Sequence, residues 1–203
     1  MKFFSLENPI WKFIGNLADF FLLSCLWYLC CLPVVKGAGA ATTALYYVTL
    51  KMARGQEGQL IPAFFHSFKQ NLKQATALWV GYLAVGILLV LDLAICLQTS
   101  SVFAGAMFFT SVVLLACWAL FITMLFPLVA RCDNTIGALF KMGIAMALRN
   151  VMPVLAALMV TVAFFAVGVF VFWPVLLVAP GLASYCNAFL FNRIFDKYGM
   201  TLE

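Results

Sequence analysis

Asp92 is the side chain of this sequence best placed to do chemistry. Between Lys73 and Arg131 it is the only charged residue. A carboxylate within so apolar a run costs about 2.5–3.5 kcal/mol to insert into a bilayer unless it is paired or wetted. Such a group either contacts an ion or polar solute, or is held by a structural partner. Lys36, the basic residue that follows the first apolar run, is expected at the same depth, and structural pairing of Asp92 with Lys36 is the favoured reading. Asp19 sits near the inner end of the first run, where it is read as a solvated interfacial carboxylate, a helix cap or a partner for a basic residue. Asn187, in the last run, completes the intramembrane polar candidates.

No catalytic constellation accompanies these groups. The sequence has no H-E-x-x-H, no P-loop, no G-x-S-x-G and no suitably spaced carboxylate pair. His66 is its one histidine, and none of its seven cysteines forms a C-x-x-C pair. The expectation is a non-enzymatic protein with no catalytic residues, no metal and no cofactor.

The elements that must hold these side chains are membrane spans. Only 9% of the 203 residues are charged and 66% are hydrophobic, against about 25% charged in a soluble domain. Mean hydropathy is +1.09. Residues 74–130 hold one charge and residues 150–192 none, so each stretch has room for two helices of about 20 residues. The runs read as 17–35, 40–52, 75–97, 102–130, 151–173 and 175–191. The second is short, about 20 Å as a helix, and either crosses with its flanks snorkelling or enters partway. Pro33 and Lys36-Gly37-Ala38-Gly39 read as a break before it, with close packing favoured over anion binding for the small residues. Pro180-Gly181 is expected to break the last run near mid-membrane.

Two segments, 61–73 and 135–149, are basic and amphipathic. They are read as cytosolic interfacial helices, the first alternatively as the start of the following span. Asp133 and Asn134 are the expected N-cap residues of the second. Their exposed residues are the partner-docking candidates: Phe64, Phe68, Lys69, Lys73, Phe140, Lys141 and Arg149.

The charge pattern decides the topology expected. With six crossings, eleven of the twelve Lys and Arg share one side and only Lys36 lies opposite. If 40–52 does not cross, Lys2 and Lys12 join Lys36. The positive-inside rule therefore favours six crossings with both termini cytosolic. The N-terminus lacks the pattern of a cleaved signal peptide. The fold expected is an all-α polytopic membrane bundle in a single domain, 1–203. Its halves, 1–100 and 101–203, each hold a basic amphipathic helix between spans, with Asn71 and Asn150 at comparable points. A parallel repeat and the default pattern of positive-inside hairpins both remain open.

Four segments carry a family resemblance. They are Asn8-Pro9-Ile10-Trp11-Lys12-Phe13, Leu32-Pro33-Val34-Val35, Ala41-Thr42-Thr43-Ala44-Leu45-Tyr46-Tyr47, and Phe65 through Ala75 (FHSFKQNLKQA). In order and spacing they resemble the YesL family of small bacterial membrane proteins across about the first hundred residues. The turn after Pro33-Val34-Val35 departs from the family's Thr-Ile-Gly-Pro-like pattern. The family has no established activity, but its members are often encoded beside carbohydrate ABC-type permeases. The resemblance thus implies a bacterial plasma-membrane protein that is an accessory or assembly partner of a sugar ABC transporter. The alternative is a small permease for a sugar or other solute, acting as a dimer. The partners expected are membrane lipid, sugar ABC transporter subunits and a second copy, with no nucleic acid.

Overall fold

A computed structural model of the chain describes residues 9–56, 58–98, 102–132 and 134–200. They form seven α-helices and one 3-10 segment: α1 (Pro9–Cys31), α2 (Val34–Met52), α3 (Leu60–Gln98), α4 (Val102–Val129), α5 (Ile136–Arg149), α6 (Val151–Phe170), the 3-10 helix Trp173–Leu177, and α7 (Ala179–Lys197). Among the described residues, three helices are long and apolar enough to cross a bilayer: α3, α4 over Gly105–Val129, and α6.

The core forms around α2, which packs against α1, α3, α4 and α7. Most of its side chains from Gly37 to Leu50 are buried. One apolar cluster joins Leu23 of α1, Ala41, Ala44, Leu45 and Val48 of α2, and Phe64 of α3. A larger one joins Tyr46 and Leu50 to Met124–Val129 of α4, Met146 and Ala147 of α5, Val154 and Ala157 of α6, and Phe191 and Phe195 of α7.

Small residues let these helices approach. The break expected over 36–39 is not there: α2 begins at Val34, directly after Pro33, and runs through both glycines. A Cβ on Gly37 would lie 1.9 Å from the carbonyl oxygen of Cys30, and one on Gly39 would lie 2.5 Å from that of Ala75. The glycines therefore serve helix contact, and Pro33 alone makes the turn. The last run is interrupted beside Pro180-Gly181, where the 3-10 helix Trp173–Leu177 gives way at Val178 to α7. Pro180 lies in the first turn of α7, where its missing N–H costs nothing. The N–H of Gly181 donates to Oγ of Ser24 at 2.9 Å, and a Cβ there would lie 2.5 Å from the carbonyl of Phe20.

Two further expectations are corrected. Residues 61–73 are not a separate interfacial helix, because α3 runs unbroken for 39 residues, about 58 Å. Its buried face, Phe64, Ser67, Asn71, Ala75 and Leu78, continues along α3 toward the apolar half. The alternative reading, that this segment starts the next span, is the one the structure has. The residue that precedes α5 as its N-cap is Thr135, with no side-chain cap bond. Asn134 lies one position earlier, and Asp133 falls outside the described residues.

Asn71 and Asn150 behave differently. Both donate from Nδ2 to the carbonyl four residues back, Ser67 at 3.1 Å and Met146 at 2.9 Å. Asn71 does so inside a continuous helix. Asn150 leaves helical geometry (φ −128°, ψ 45°) and separates α5 from α6.

Glycines in left-handed conformation end two helices. Gly55 (φ 69°) follows α2 and Gly199 (φ 68°) follows α7. After Gly199 the N–H of Met200 returns to the carbonyl of Phe195 at 3.0 Å. That turn aims the Met200 carbonyl at α4.

Candidate functional site

Three helix ends converge on one polar node. Arg131, just past α4, has a fully buried side chain. Its Nε donates to the Met200 carbonyl at 3.0 Å, Nη2 donates to the same carbonyl, and Nη1 donates to Oδ1 of Asn192 at 3.3 Å. Its guanidinium carbon lies 5.3 Å from the centre of the Phe195 ring. Arg54, after α2, donates from Nε to the same Asn192 oxygen at 3.0 Å and from Nη2 to Asp196. Asp196 also lies 3.9 Å from Nη2 of Arg131. Asn192 closes the node by donating from Nδ2 to the carbonyl of Leu50 at 3.1 Å. Burial and the neighbouring Arg54 push the Arg131 pKa below the ordinary arginine value, and Asp196 and Cys132 oppose that. Arginine starts from so high a value that it keeps its charge. Nearby, Asn150 donates to the hydroxyl of Tyr198 at 3.2 Å, which ties the start of α6 to the end of α7.

A second polar group lies in the core. Asn187 is fully buried and donates from Nδ2 to Oγ1 of Thr161 at 2.8 Å and to the hydroxyl of Tyr46 at 3.5 Å. Its Oδ1 has no hydrogen-bond partner among the described residues. This site joins α2, α6 and α7.

Beside α2 opens a groove of about 860 Å³. Asp19 and Phe20 of α1, Val48, Lys51 and Met52 of α2, Gln56 and Gln59 between α2 and α3, Leu60 and Ala63 of α3, and Tyr185 of α7 line it. Lys51 Nζ donates to the hydroxyl of Tyr47 at 2.6 Å and stands 4.4 Å from the centre of its ring. Asp19 is half-buried. Among the described residues the ion pairs are Arg54–Asp196 and Arg131–Asp196, so Asp19 and Lys51 face one groove without pairing.

Asp92 is half-buried between α3 and α4 and accepts a hydrogen bond from the hydroxyl of Ser111. The side chain of Lys36, its expected partner, lies outside the described residues. Around this pair the hairpin of α3 and α4 is bare and apolar, with Leu88, Leu91, Ile95, Leu97, Phe103 and Phe109 all more than half exposed.

The docking candidates divide. Phe64 is fully buried, enclosed by α1 and α2 and stacked on Phe68 at 6.4 Å, so it offers no surface to a partner. Phe68 is half-buried. Lys69, Lys73, Lys141 and Arg149 are exposed, and Phe140 is half exposed with its edge on Phe121 at 4.8 Å. α5 sets Leu139, Gly143, Met146 and Ala147 into the core and leaves Ile136, Phe140, Ile144 and Leu148 exposed in one stripe.

Arg131, Asn192 and the Asn150–Tyr198 bond escape a reading of the sequence. Arg131 reads as a topology charge, since its partners lie 61 to 69 positions away. The one usable signal is a basic residue set directly against a long apolar run.

Comparison with known proteins adds one match. The chain is similar over residues 20–93 to a family described as "Protein of unknown function, DUF624". YesL-like proteins carry this domain. The matched stretch holds the second half of α1, all of α2 and α3 through Leu93. No curated protein and no solved structure matches.

Proposed function

We propose that the chain is a non-enzymatic, multi-pass membrane protein that docks on a membrane transport complex as an accessory or assembly partner. The observation that carries this reading is α5. It is anchored on one face and exposes four large apolar side chains at every fourth position on the other, beside Lys141 and Arg149. On the cytosolic side such a stripe calls for cover, and a partner beside the membrane surface would supply it. The resemblance noted in the sequence extends the proposal to carbohydrate ABC-type systems of the bacterial plasma membrane.

In this reading α1, α2, α3, α4, α6 and the 3-10 segment with α7 make six crossings, with both termini cytosolic. The Arg54–Asp196 and Arg131–Asp196 contacts support it, because they join the ends of α2, α4 and α7, three ends that the charge pattern assigns to one side.

Purification in mild detergent, with co-purifying subunits identified, tests the function. ABC transporter subunits should accompany the unmodified chain and be lost with Phe140→Ala, Lys141→Gln and Arg149→Gln combined. Failure to recover them, or capture that survives the triple change, contradicts it. The second reading, a small permease, draws on Asn187, whose unpartnered oxygen lies among three core helices.

A further inference from the structure

We propose that the groove beside α2 binds a zwitterion, a molecule carrying an ammonium and an anionic oxygen group a few bonds apart, and that Asp19 and Lys51 are the residues that read it. The inference stands apart from partner docking, which uses α5.

The volume, about 860 Å³, suits a small molecule or a lipid headgroup with the start of its chains. The charges decide the class. Asp19 takes no hydrogen bond or ion pair among the described residues although it is half-buried. A half-buried carboxylate that faces a groove is set to accept charge-assisted hydrogen bonds, and a ligand ammonium would supply them. Lys51 is held by Tyr47, which leaves its remaining N–H donors for an anionic oxygen. A simple cation would satisfy Asp19 and be repelled by Lys51, and a simple anion would meet the reverse. Only a ligand with both signs answers both side chains. Gln56 and Gln59 add amide groups, and Phe20, Val48 and Met52 add apolar wall. Phe20 and Tyr185, with ring centres 4.8 Å apart, join α1 to α7 at the margin.

This chemistry has two sources, an ethanolamine phospholipid and a free zwitterion such as phosphoethanolamine, and the test separates them. The full chain is placed in nanodiscs of equal phosphatidylethanolamine and phosphatidylglycerol, released and weighed by native mass spectrometry. Retained phosphatidylethanolamine in excess of phosphatidylglycerol identifies a lipid. A saturable change of intrinsic fluorescence on adding free phosphoethanolamine, in discs of phosphatidylglycerol alone, identifies a soluble ligand. In whichever arm binding appears, Asp19→Asn should weaken it about tenfold, as expected for one charge-assisted hydrogen bond. Ala63→Trp, which puts an indole into the groove and leaves both charged residues unsubstituted, should abolish it. Melting temperature checks that each variant is folded. No preference in the lipid arm together with no response to phosphoethanolamine, or binding unchanged in both folded variants, overturns the proposal.

Discussion

Arg131 donates from Nε to the main-chain carbonyl of Met200 at 3.0 Å, fixing the chain after α7 to the end of α4. The buried guanidinium also reaches Asn192. Arg131→Ala would strip charged hydrogen bonds from the half-buried Met200 carbonyl and from buried Asn192, at about 1.5–3 kcal/mol each. Asp196→Asn touches a carboxylate that is 58% exposed, for which about 0.2–1 kcal/mol is expected. Thermal unfolding in detergent should therefore rank Arg131→Ala far below Asp196→Asn. Equal losses would show that the surface ion pair, not the buried hydrogen bonding, holds these ends together.

Gly39 and Gly81 give a matched pair of substitutions. A Cβ on Gly39 meets the Ala75 carbonyl at 2.5 Å, whereas one on Gly81 meets nothing within 4 Å. Gly39→Ala should destabilise by about 1–3 kcal/mol, since backbone must move. Gly81→Ala should be neutral or gain up to about 1 kcal/mol from helix propensity. Similar melting temperatures for the two variants would contradict the close contact of α2 with α3.

Those glycines also mark how far the sequence could be read. Apolar run lengths locate the long helices, because a bilayer-length run without charge has few other uses. Gly37 and Gly39 read as helix breakers because their reason for being glycine lies in Cys30 and Ala75, on other helices. Periodicity at 61–73 identifies the face that carries Phe64 and Phe68, but not that α1 and α2 cover it. Among the site residues, Asp92, Asp19 and Asn187 stand out as polar groups in apolar runs. The partners of Asp92 and Asn187 do not, because their pairing with Ser111, Thr161 and Tyr46 is made only by folding.

Asp92 now has an observed partner to test. A double-mutant cycle of Asp92→Ala with Ser111→Ala should show coupling of about 0.5–3 kcal/mol in detergent unfolding. The parallel cycle with Lys36→Gln measures the pairing expected from the sequence. Additive effects in the Ser111 cycle would remove that hydrogen bond from the account.

Asn187 offers a test of the core. Asn187→Leu removes an amide whose Oδ1 is unpartnered, but it also leaves Thr161 and Tyr46 without their donor. Asn187→Ala combined with Thr161→Val should cost less than the sum of the single changes. Strict additivity would separate the two side chains.

The central claim, a cytosolic docking face on a six-crossing chain, turns on where the 53–59 connection and α5 lie. The direct measurement is labelling of single cysteines by a membrane-impermeant thiol reagent in intact cells, in a cysteine-free background. Gln56→Cys and Ala145→Cys, both at exposed positions, should react only after permeabilisation, and Ser100→Cys should react before it. Labelling of position 56 or 145 from outside would contradict the topology and, with it, the docking role of α5.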